Sequence, residues 1–219
     1  TVKPIATLET EGAFFHEWRI VSLDGSTLDL GDTQENENEF GRPGVSRGEG
    51  SAFPQLRFCA LVENGTHVLF GTRVGAYSMG ETTLAEDVVA HLQKGMLCLA
   101  DRQFFGFKLW TKAAKTGSEL VWRVKHNLVL PCERELPDHS YLSTVYPTVK
   151  DRRHRQNGVC VRVVKYRVTN PQDLAEESQF QLLTTILDQT RASALELAEL
   201  YGQRWEIETT LDEFKTHLH

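Results

Sequence analysis

The order in which strand-like and helix-like segments follow one another constrains the fold of this chain most strongly. Three apolar, β-branched segments come first, and a helix, a strand, a second helix and a further strand follow them. A β-rich stretch and a helix from about Ser193 close the order. Such an order is typical of a mixed α/β sheet flanked by helices. We therefore predict an α/β core within 1–127, a β-rich insertion at 128–190 and a last core helix within 191–219.

Local turn and strand signals refine this order. Asp24-Gly25 is a turn signal within an apolar strand pattern. Glu63-Asn64-Gly65 separates two further strand patterns and predicts the turn of a hairpin. Residues 31–54 are polar and glycine-rich without periodicity, and we predict a loop there. Residues 158–168, with the sequence GVCVRVVKYRV, interleave β-branched residues with cations and predict a strand.

The composition narrows the class of protein. The chain has 219 residues, 40% of them hydrophobic and 25% charged, which is typical of a folded globular protein. It contains no run of about 18 apolar residues, so we expect no membrane span. Four widely spaced cysteines without a C-x-x-C pair favour a reducing cytoplasm over a zinc site or a disulfide framework. Since the chain starts without methionine and stops inside a helical pattern, we expect it to be part of a longer protein.

The charge is unevenly distributed. The net charge of −6 argues against nucleic acid as a partner. Between Lys150 and Arg167, however, there are seven lysines or arginines and a single acid, Asp151. Two readings of this segment stay open: its cations, with Arg153 and Arg155 as the candidates, bind DNA phosphates, or they cover a solvated strand face, which is the commoner case.

Three carboxylates occupy positions suited to chemistry. Asp24 and Asp101 each end an apolar strand pattern, which delivers a side chain to the edge of a sheet, and Glu208 lies on the last helix. Together they could hold a pair of Mg²⁺ ions, which prefer hard oxygen ligands and catalyse phosphoryl transfer. Each acid also has a structural interpretation: Asp24 as a turn residue, Asp101 as a helix N-cap and Glu208 as a surface residue.

The closing helix carries its polar side chains on one stripe. At about 100° per residue, Tyr201, Arg204, Glu208 and Lys215 fall at roughly 0°, 300°, 340° and 320° around the axis. The apolar residues of the helix cluster beside them, between about 220° and 280°. Arg204 and Glu208 are also an i, i+4 pair, so an ion-paired surface face is the alternative interpretation.

The spacing Tyr201-x2-Arg204-x3-Glu208-x6-Lys215 resembles the Y-R-E-K signature of DDE transposases from the fourth family of bacterial insertion sequences. The segments SLDGSTLDLGDTQENENEFGRPG and LCLADRQFFGFKLW are similar to that family's segments around its first and second aspartates. The resemblance extends from about Arg19 to Lys215. It implies an RNase H-like fold, a mixed sheet flanked by helices, with a β-rich insertion before the last catalytic helix.

The resemblance also implies a function. Asp24, Asp101 and Glu208 would be the catalytic triad that holds Mg²⁺, with Mn²⁺ as a substitute, and Tyr201, Arg204 and Lys215 would contact DNA near the cut. The enzyme would cleave double-stranded DNA at insertion-sequence ends and join it to target DNA. We would expect a homodimer on DNA, acting at the nucleoid in the bacterial cytoplasm, with no membrane partner.

Departures from the family pattern leave other functions open. Gln103 stands where the family commonly has glycine, and we expect neither the family's N-terminal DNA-binding region nor its further C-terminal helix within this sequence. An inactive DNA-binding or regulatory derivative of a transposase is the main alternative. A hydrolase that uses two carboxylates on a non-nucleic substrate is a third, and it gives no reason for the stripe on the last helix.

Overall fold

The computed structural model describes residues 2–44, 53–170 and 173–204. This part of the chain forms ten strands, five α-helices and a short 3₁₀ helix at Val89–His91. The strands are β1 (Phe14–Phe15), β2 (Trp18–Asp29), β3 (Gln55–Glu63), β4 (Leu69–Ala76), β5 (Met96–Ala100), β6 (Glu119–Val124), β7 (Arg134–Glu135), β8 (Tyr141–Val145), β9 (Val159–Asn170) and β10 (Asp173–Thr184). The helices are α1 (Gln34–Phe40), α2 (Glu81–Val88), α3 (Phe107–Ala114), α4 (Val149–His154) and α5 (Ala194–Gly202).

All ten strands belong to one mixed sheet. Its order is β4-β3-β2-β5-β6-β10-β9-β8-β7, and β1 pairs with β2 outside this path. The pairs β2–β5 and β5–β6 are parallel, and the other pairs are antiparallel. The large mixed sheet and its flanking helices confirm the predicted α/β fold class and are consistent with an RNase H-like fold.

The two faces of the sheet are covered by different helices. Strand β5 is apolar along its length and all five of its residues are buried, as expected for a parallel strand that is covered on both sides. On one face, α2 and α3 pack over a core in which the rings of Trp110 and Trp122 meet edge to face at 5.3 Å. On the other face, α5 packs over a second core that includes Ile20 and Leu99.

Helix α5 begins where the sequence predicts. Ser193 and Glu196 form a capping box, in which the Ser193 Oγ accepts from the backbone N–H of Glu196 and the Glu196 carboxylate accepts from the N–H of Ser193. The box satisfies two N–H groups that would otherwise lack partners. Leu197 and Leu200 are buried against the sheet, and such burial contributes about 2 kcal/mol per side chain.

The hairpin predicted between β3 and β4 and the strand predicted at 158–168 are confirmed, whereas the prediction of an unstructured loop at 31–54 is wrong. The segment 31–54 contains helix α1. None of the residues of α1 is buried, so the sequence shows no apolar periodicity there. The helix is capped by Thr33, whose Oγ1 accepts from the N–H of Asn36. The basic segment also begins as a helix, α4, and becomes strand β9 only at Val159. Thr148 caps α4 in the same way as Thr33 caps α1.

The strands of the 128–190 segment continue the sheet of the core. Strand β10 pairs with β6 over Gln181–Thr184, and β9, β8 and β7 follow outward. The division of the chain into a core and an insertion remains a prediction. No helix in the described ranges has both the length and the apolar character needed to cross a membrane.

Candidate functional site

Asp24 and Asp101 lie where the parallel pairing of β2 with β5 ends. Asp101 follows the last residue of β5, whereas Asp24 lies within β2, which continues to Asp29. In the β2–β5 pair, Leu23 is the partner of Ala100, so each acid is the residue that follows a partner in the register. Side chains alternate along a strand, and Ile20 on β2 and Leu99 on β5 both face the core under α5. Asp24 and Asp101 have the same parity as these two residues, so both acids belong to the α5 face of the sheet.

Strand β2 continues through Asp24 without a turn, so the hairpin interpretation of Asp24-Gly25 is wrong. Asp24 pairs with Ala60 on β3, and the ladder extends to Asp29. The Asp24 Oδ1 accepts a hydrogen bond of 2.9 Å from the N–H of Gly25. A Cβ at Gly25 would lie 3.0 Å from the Cγ of Glu81 and 3.1 Å from the carbonyl oxygen of Phe58. The glycine therefore allows α2 and β3 to approach β2 next to the acid.

Asp101 is held at the strand end by groups from two other elements. The hydroxyl of Tyr201 on α5 lies 3.5 Å from its Oδ1 and 3.3 Å from the carbonyl oxygen of Ala100. The Nη1 of Arg123 on β6 lies 3.8 Å from the same Oδ1. Asp101 does not cap a helix, because α3 starts only after Gly106. The N-cap interpretation is therefore wrong.

Arg123 is a site residue that the sequence analysis missed. Its guanidinium also lies 4.3 Å from the centre of the Phe180 ring on β10, which helps to hold the cation over the end of the parallel strands. Arg123 stands in an otherwise apolar stretch of β6, and its register partner Leu182 lies in the core under α5. An arginine at a core-facing strand position is the signal that could have identified it.

Tyr201 and Arg204 are both buried, at 3% exposure each. Burial raises the pKa of Tyr201, against the opposing effect of Arg204, so the phenol stays protonated and can donate. The Arg204 guanidinium lies 5.6 Å from the centre of the Tyr201 ring. These two residues are the described part of the predicted stripe. Glu208 and Lys215 lie outside the described residues.

The two candidate cations for DNA binding, Arg153 and Arg155, are exposed. Arg153 lies on α4, and Arg155 ends that helix in the left-handed region with φ 52°. They follow β8, which is separated from β6 by β9 and β10 in the sheet. The two cations therefore follow a strand that does not pair with any strand next to the two acids.

Arg162, in the same basic segment, is fully buried, so neither interpretation of the segment applies to it. Its Nε donates to the Oγ of Ser140 at 2.7 Å, its Nη1 donates to the carbonyl oxygen of Ala192 at 2.7 Å, and its Nη2 binds the carboxylate of Asp138. The same carboxylate accepts from the N–H of Ala194, the first residue of α5, at 2.7 Å. This network joins β9 to the start of the helix that carries Tyr201.

The carboxylates of Asp24 and Asp101 have the chemistry of metal ligands. Two aspartates on one face of the sheet, where the pairing of β2 with β5 ends, offer the hard oxygen donors that Mg²⁺ prefers. Within residues 2–44, 53–170 and 173–204 no third acid, cysteine or histidine joins them to complete a metal-binding group. Gln103 does not join them either, since its amide donates to Glu81.

Comparison with known proteins gives a consistent result. The family model described as Transposase DDE domain matches residues 16–219. The transposase InsG for insertion sequence element IS4 of Escherichia coli (strain K12) is 25% identical over 198 residues, which are 90% of this chain and 44% of InsG. The "Putative transposase InsZ" of the same organism is 25% identical over 108 residues, 49% of this chain and 36% of InsZ. The chain thus spans less than half the length of either relative.

Proposed function

The chain belongs to the family of transposase DDE domains, and we propose that it catalyses metal-dependent cleavage and strand transfer of DNA at the ends of an insertion sequence. The observation that carries this proposal is the register of β2 and β5, in which Leu23 pairs with Ala100 and two acids follow on the same face. Acids that follow directly where two apolar parallel strands cease to pair would both be presented to one substrate at this edge of the parallel strands.

Asp24 and Asp101 are proposed as metal ligands, with Glu208 as the third acid of the triad. Bound Mg²⁺, or Mn²⁺ in its place, would activate the attacking oxygen and stabilise the leaving oxygen of a phosphodiester. Neighbouring groups orient the acids: the backbone N–H of Gly25 donates to Asp24, and the hydroxyl of Tyr201 contacts Asp101. Arg123 places a positive charge beside Asp101, where a phosphate must approach.

Further residues are proposed to hold the DNA. Arg204 and Lys215 would contact phosphates near the cut, and Tyr201 would act at the same edge through the hydroxyl that it directs at Asp101. Arg153 and Arg155, both exposed, would contact the duplex farther away. The partners would be transposon-end and target duplexes, bound by a homodimer at the nucleoid in the bacterial cytoplasm.

The test is a cleavage assay with the full-length protein and a labelled duplex that contains its own element end. Native protein should nick the duplex with Mg²⁺ or Mn²⁺ and not with EDTA. Glu208→Gln, Asp24→Asn and Asp101→Asn should each abolish nicking while binding the duplex with near-native affinity. Asp87→Asn, which removes an exposed acid paired with Arg73 on the surface, is the matched control and should cut normally.

The outcomes separate the proposed enzyme from its alternatives. Normal nicking by the Glu208→Gln variant would refute the triad assignment. Tight binding of the element end by native protein without any nicking would favour an inactive, regulatory derivative. Absence of salt-dependent DNA affinity would favour a hydrolase of another substrate class, since phosphate contacts always make affinity depend on salt.

A further inference from the structure

A groove runs along the α3 face of the sheet, opposite the face of the two acids. We call it the basic groove and define it by Arg102, Phe105, Lys125, Leu128, Tyr146 and Arg152. Two adjoining depressions of about 520 and 340 Å³ form it, and Phe105, Leu128 and Arg152 line both. Both volumes fall in the range of pockets that hold small ligands.

The groove opens at the edge of the sheet where the candidate catalytic acids lie. Arg102 directly follows Asp101, and Lys125 directly follows the last residue of β6. Strands β5 and β6 are parallel, and Ala100 is the partner of Trp122, so both cations stand at the same edge of the sheet. A DNA strand that leaves the acids can therefore enter the groove around this edge.

The walls of the groove combine cations with apolar and aromatic side chains. Arg102, Lys125 and Arg152 are exposed, and among the described residues no carboxylate forms an ion pair with them. None of the described residues that line the two depressions is acidic. Phe105 and Tyr146 supply half-buried rings, and Val129 is 68% exposed at the wall.

We propose that the basic groove binds an unpaired segment of DNA, with phosphates on Arg102, Lys125 and Arg152 and bases against Phe105 and Tyr146. Cations that follow a backbone, together with rings on which bases stack, are the features by which proteins hold single strands. The unpaired cations complement the charge of the phosphates on a chain whose net charge is −6. The proposal rests on the proposed function, because cleavage of DNA at the two acids would create a free strand end beside the groove.

The test measures the affinity of the full-length protein for a fluorescent 15-nucleotide oligothymidine by anisotropy. The double variant Lys125→Ala/Arg152→Ala should weaken binding at least 10-fold at low salt. It should also reduce the slope of log affinity against log salt by about 1.4, because each phosphate contact on a single strand contributes about 0.7. Lys94→Ala/Lys115→Ala removes two exposed lysines at the opposite end of the parallel strands and should leave both quantities unchanged.

A second variant tests the stacking. Tyr146→Leu keeps an apolar side chain and every charge, and it should weaken binding about 10-fold, since a stacked base contributes about 1–3 kcal/mol. It should also restore the fluorescence of 2-aminopurine that is quenched in the native complex. Melting temperatures of all variants near the native value exclude a loss of fold.

Three outcomes would overturn the proposal: no measurable binding of the oligonucleotide by native protein, equal loss in the control variant, or native affinity in the groove variants. If the Lys125→Ala/Arg152→Ala variant binds the oligonucleotide with native affinity but no longer associates with a second copy of the chain, the groove is a protein contact instead. Asp101→Asn should retain oligonucleotide binding, so a failure of the catalytic assignment is distinguishable from a failure of the groove.

Discussion

The hydroxyl of Tyr201 lies 3.5 Å from the carboxylate of Asp101, although 100 positions separate the two residues in the chain. This contact joins helix α5 to the end of strand β5. The phenol is buried, and its pKa is raised by that burial, so it faces the acid as a neutral donor. The contact of Tyr201 with Asp101 at the proposed site therefore forms only when α5 is packed on the sheet.

Tyr201→Phe should impair cleavage more than it impairs folding. The ring keeps its packing, and loss of one hydroxyl should lower the free energy of unfolding by about 1 kcal/mol. Without its donor Asp101 can rotate away from Asp24, and we expect single-turnover nicking to fall about 10-fold, since even a 1 Å displacement at a reacting centre can cost more. Quenched-flow cleavage and urea denaturation measure the two quantities.

Tyr141→Phe is the matched control for this change. Its hydroxyl donates to the carbonyl oxygen of Leu130 at 3.1 Å and contacts none of the proposed catalytic residues. It should lose a similar amount of stability and cleave at the native rate. If the two variants cleave equally well, the Tyr201 hydroxyl has no role beyond packing.

Arg123→Met should bind a divalent cation more tightly than the native protein and cut DNA more slowly. The guanidinium lies 3.8 Å from the Asp101 Oδ1 and repels a second cation there. Since both side chains are partly exposed, solvent weakens this repulsion, and we expect the affinity for Mn²⁺ to rise about 3- to 10-fold. Isothermal titration with Mn²⁺ in the absence of DNA measures this directly.

Arg191→Met provides the comparison. Like Arg123, Arg191 forms ion pairs, here with Glu17 and Glu119, and lies over an aromatic ring, here that of Trp18. It should leave the Mn²⁺ affinity unchanged. A weaker Mn²⁺ affinity in the Arg123 variant would mean that Arg123 organises the acids and does not compete with the metal.

Features fixed by neighbouring residues could be read from the sequence, and features fixed by distant partners could not. Ser193 starts α5 as predicted because its capping partner is three residues away. Asp24-Gly25 was a misleading turn signal, since the pairing of β2 with both β3 and β5 outweighs a local preference. The burial of Arg162 was invisible because its partner Asp138 lies 24 positions away.

Asp101 directly follows β5, as expected of an apolar strand that ends on an acid, whereas Asp24 lies within β2, because the pairing of β2 with β3 continues to Asp29. The surroundings of the two acids could not be predicted. Arg123 reaches Asp101 across the β5–β6 pair, and that neighbourhood exists only once the sheet order is known. The resemblance in the Y-R-E-K spacing implied that Tyr201 contacts DNA near the cut. It did not predict that the phenol would be buried against the end of β5.

Gly25→Ala should disturb the site through Asp24. The new Cβ would lie 3.0 Å from the Cγ of Glu81 and 3.1 Å from the carbonyl oxygen of Phe58, which belongs to the β3 backbone and cannot rotate away. We expect a loss of about 1–3 kcal/mol in unfolding free energy, typical of overpacking, and slower cleavage. Adding Glu81→Ala should recover part of both, as it removes the Cγ contact.

Gly44→Ala is the control for this series, since Gly44 is exposed outside any helix or strand and a Cβ there meets nothing within 4 Å. It should retain native stability within experimental error. Full activity of Gly25→Ala with native stability would show that β2 can shift away from α2 and β3 without moving Asp24.

Asp138→Asn should detach the start of α5 and change how stability depends on pH. Burial alone would raise the pKa of Asp138, but the hydrogen bonds from Ser140 and the N–H of Ala194, and the charge of Arg162, hold it below its usual value of 3.8. The unfolded chain therefore binds this proton more readily, and the stabilisation is present above about pH 4 and lost as the pH falls through the lower folded value.

In denaturation experiments from pH 7 to pH 2.5, the native protein should exceed Asp138→Asn by about 3 kcal/mol at neutral pH, as expected when a buried ion pair loses one member. The difference should shrink towards zero at the acid end. Asp151→Asn is the control: its carboxylate is also held at a low pKa, by hydrogen bonds from Thr148 and Asn157, but it is exposed and remote from α5. A difference for Asp138→Asn that stays constant with pH would mean that the carboxylate acts through packing and not through its charge.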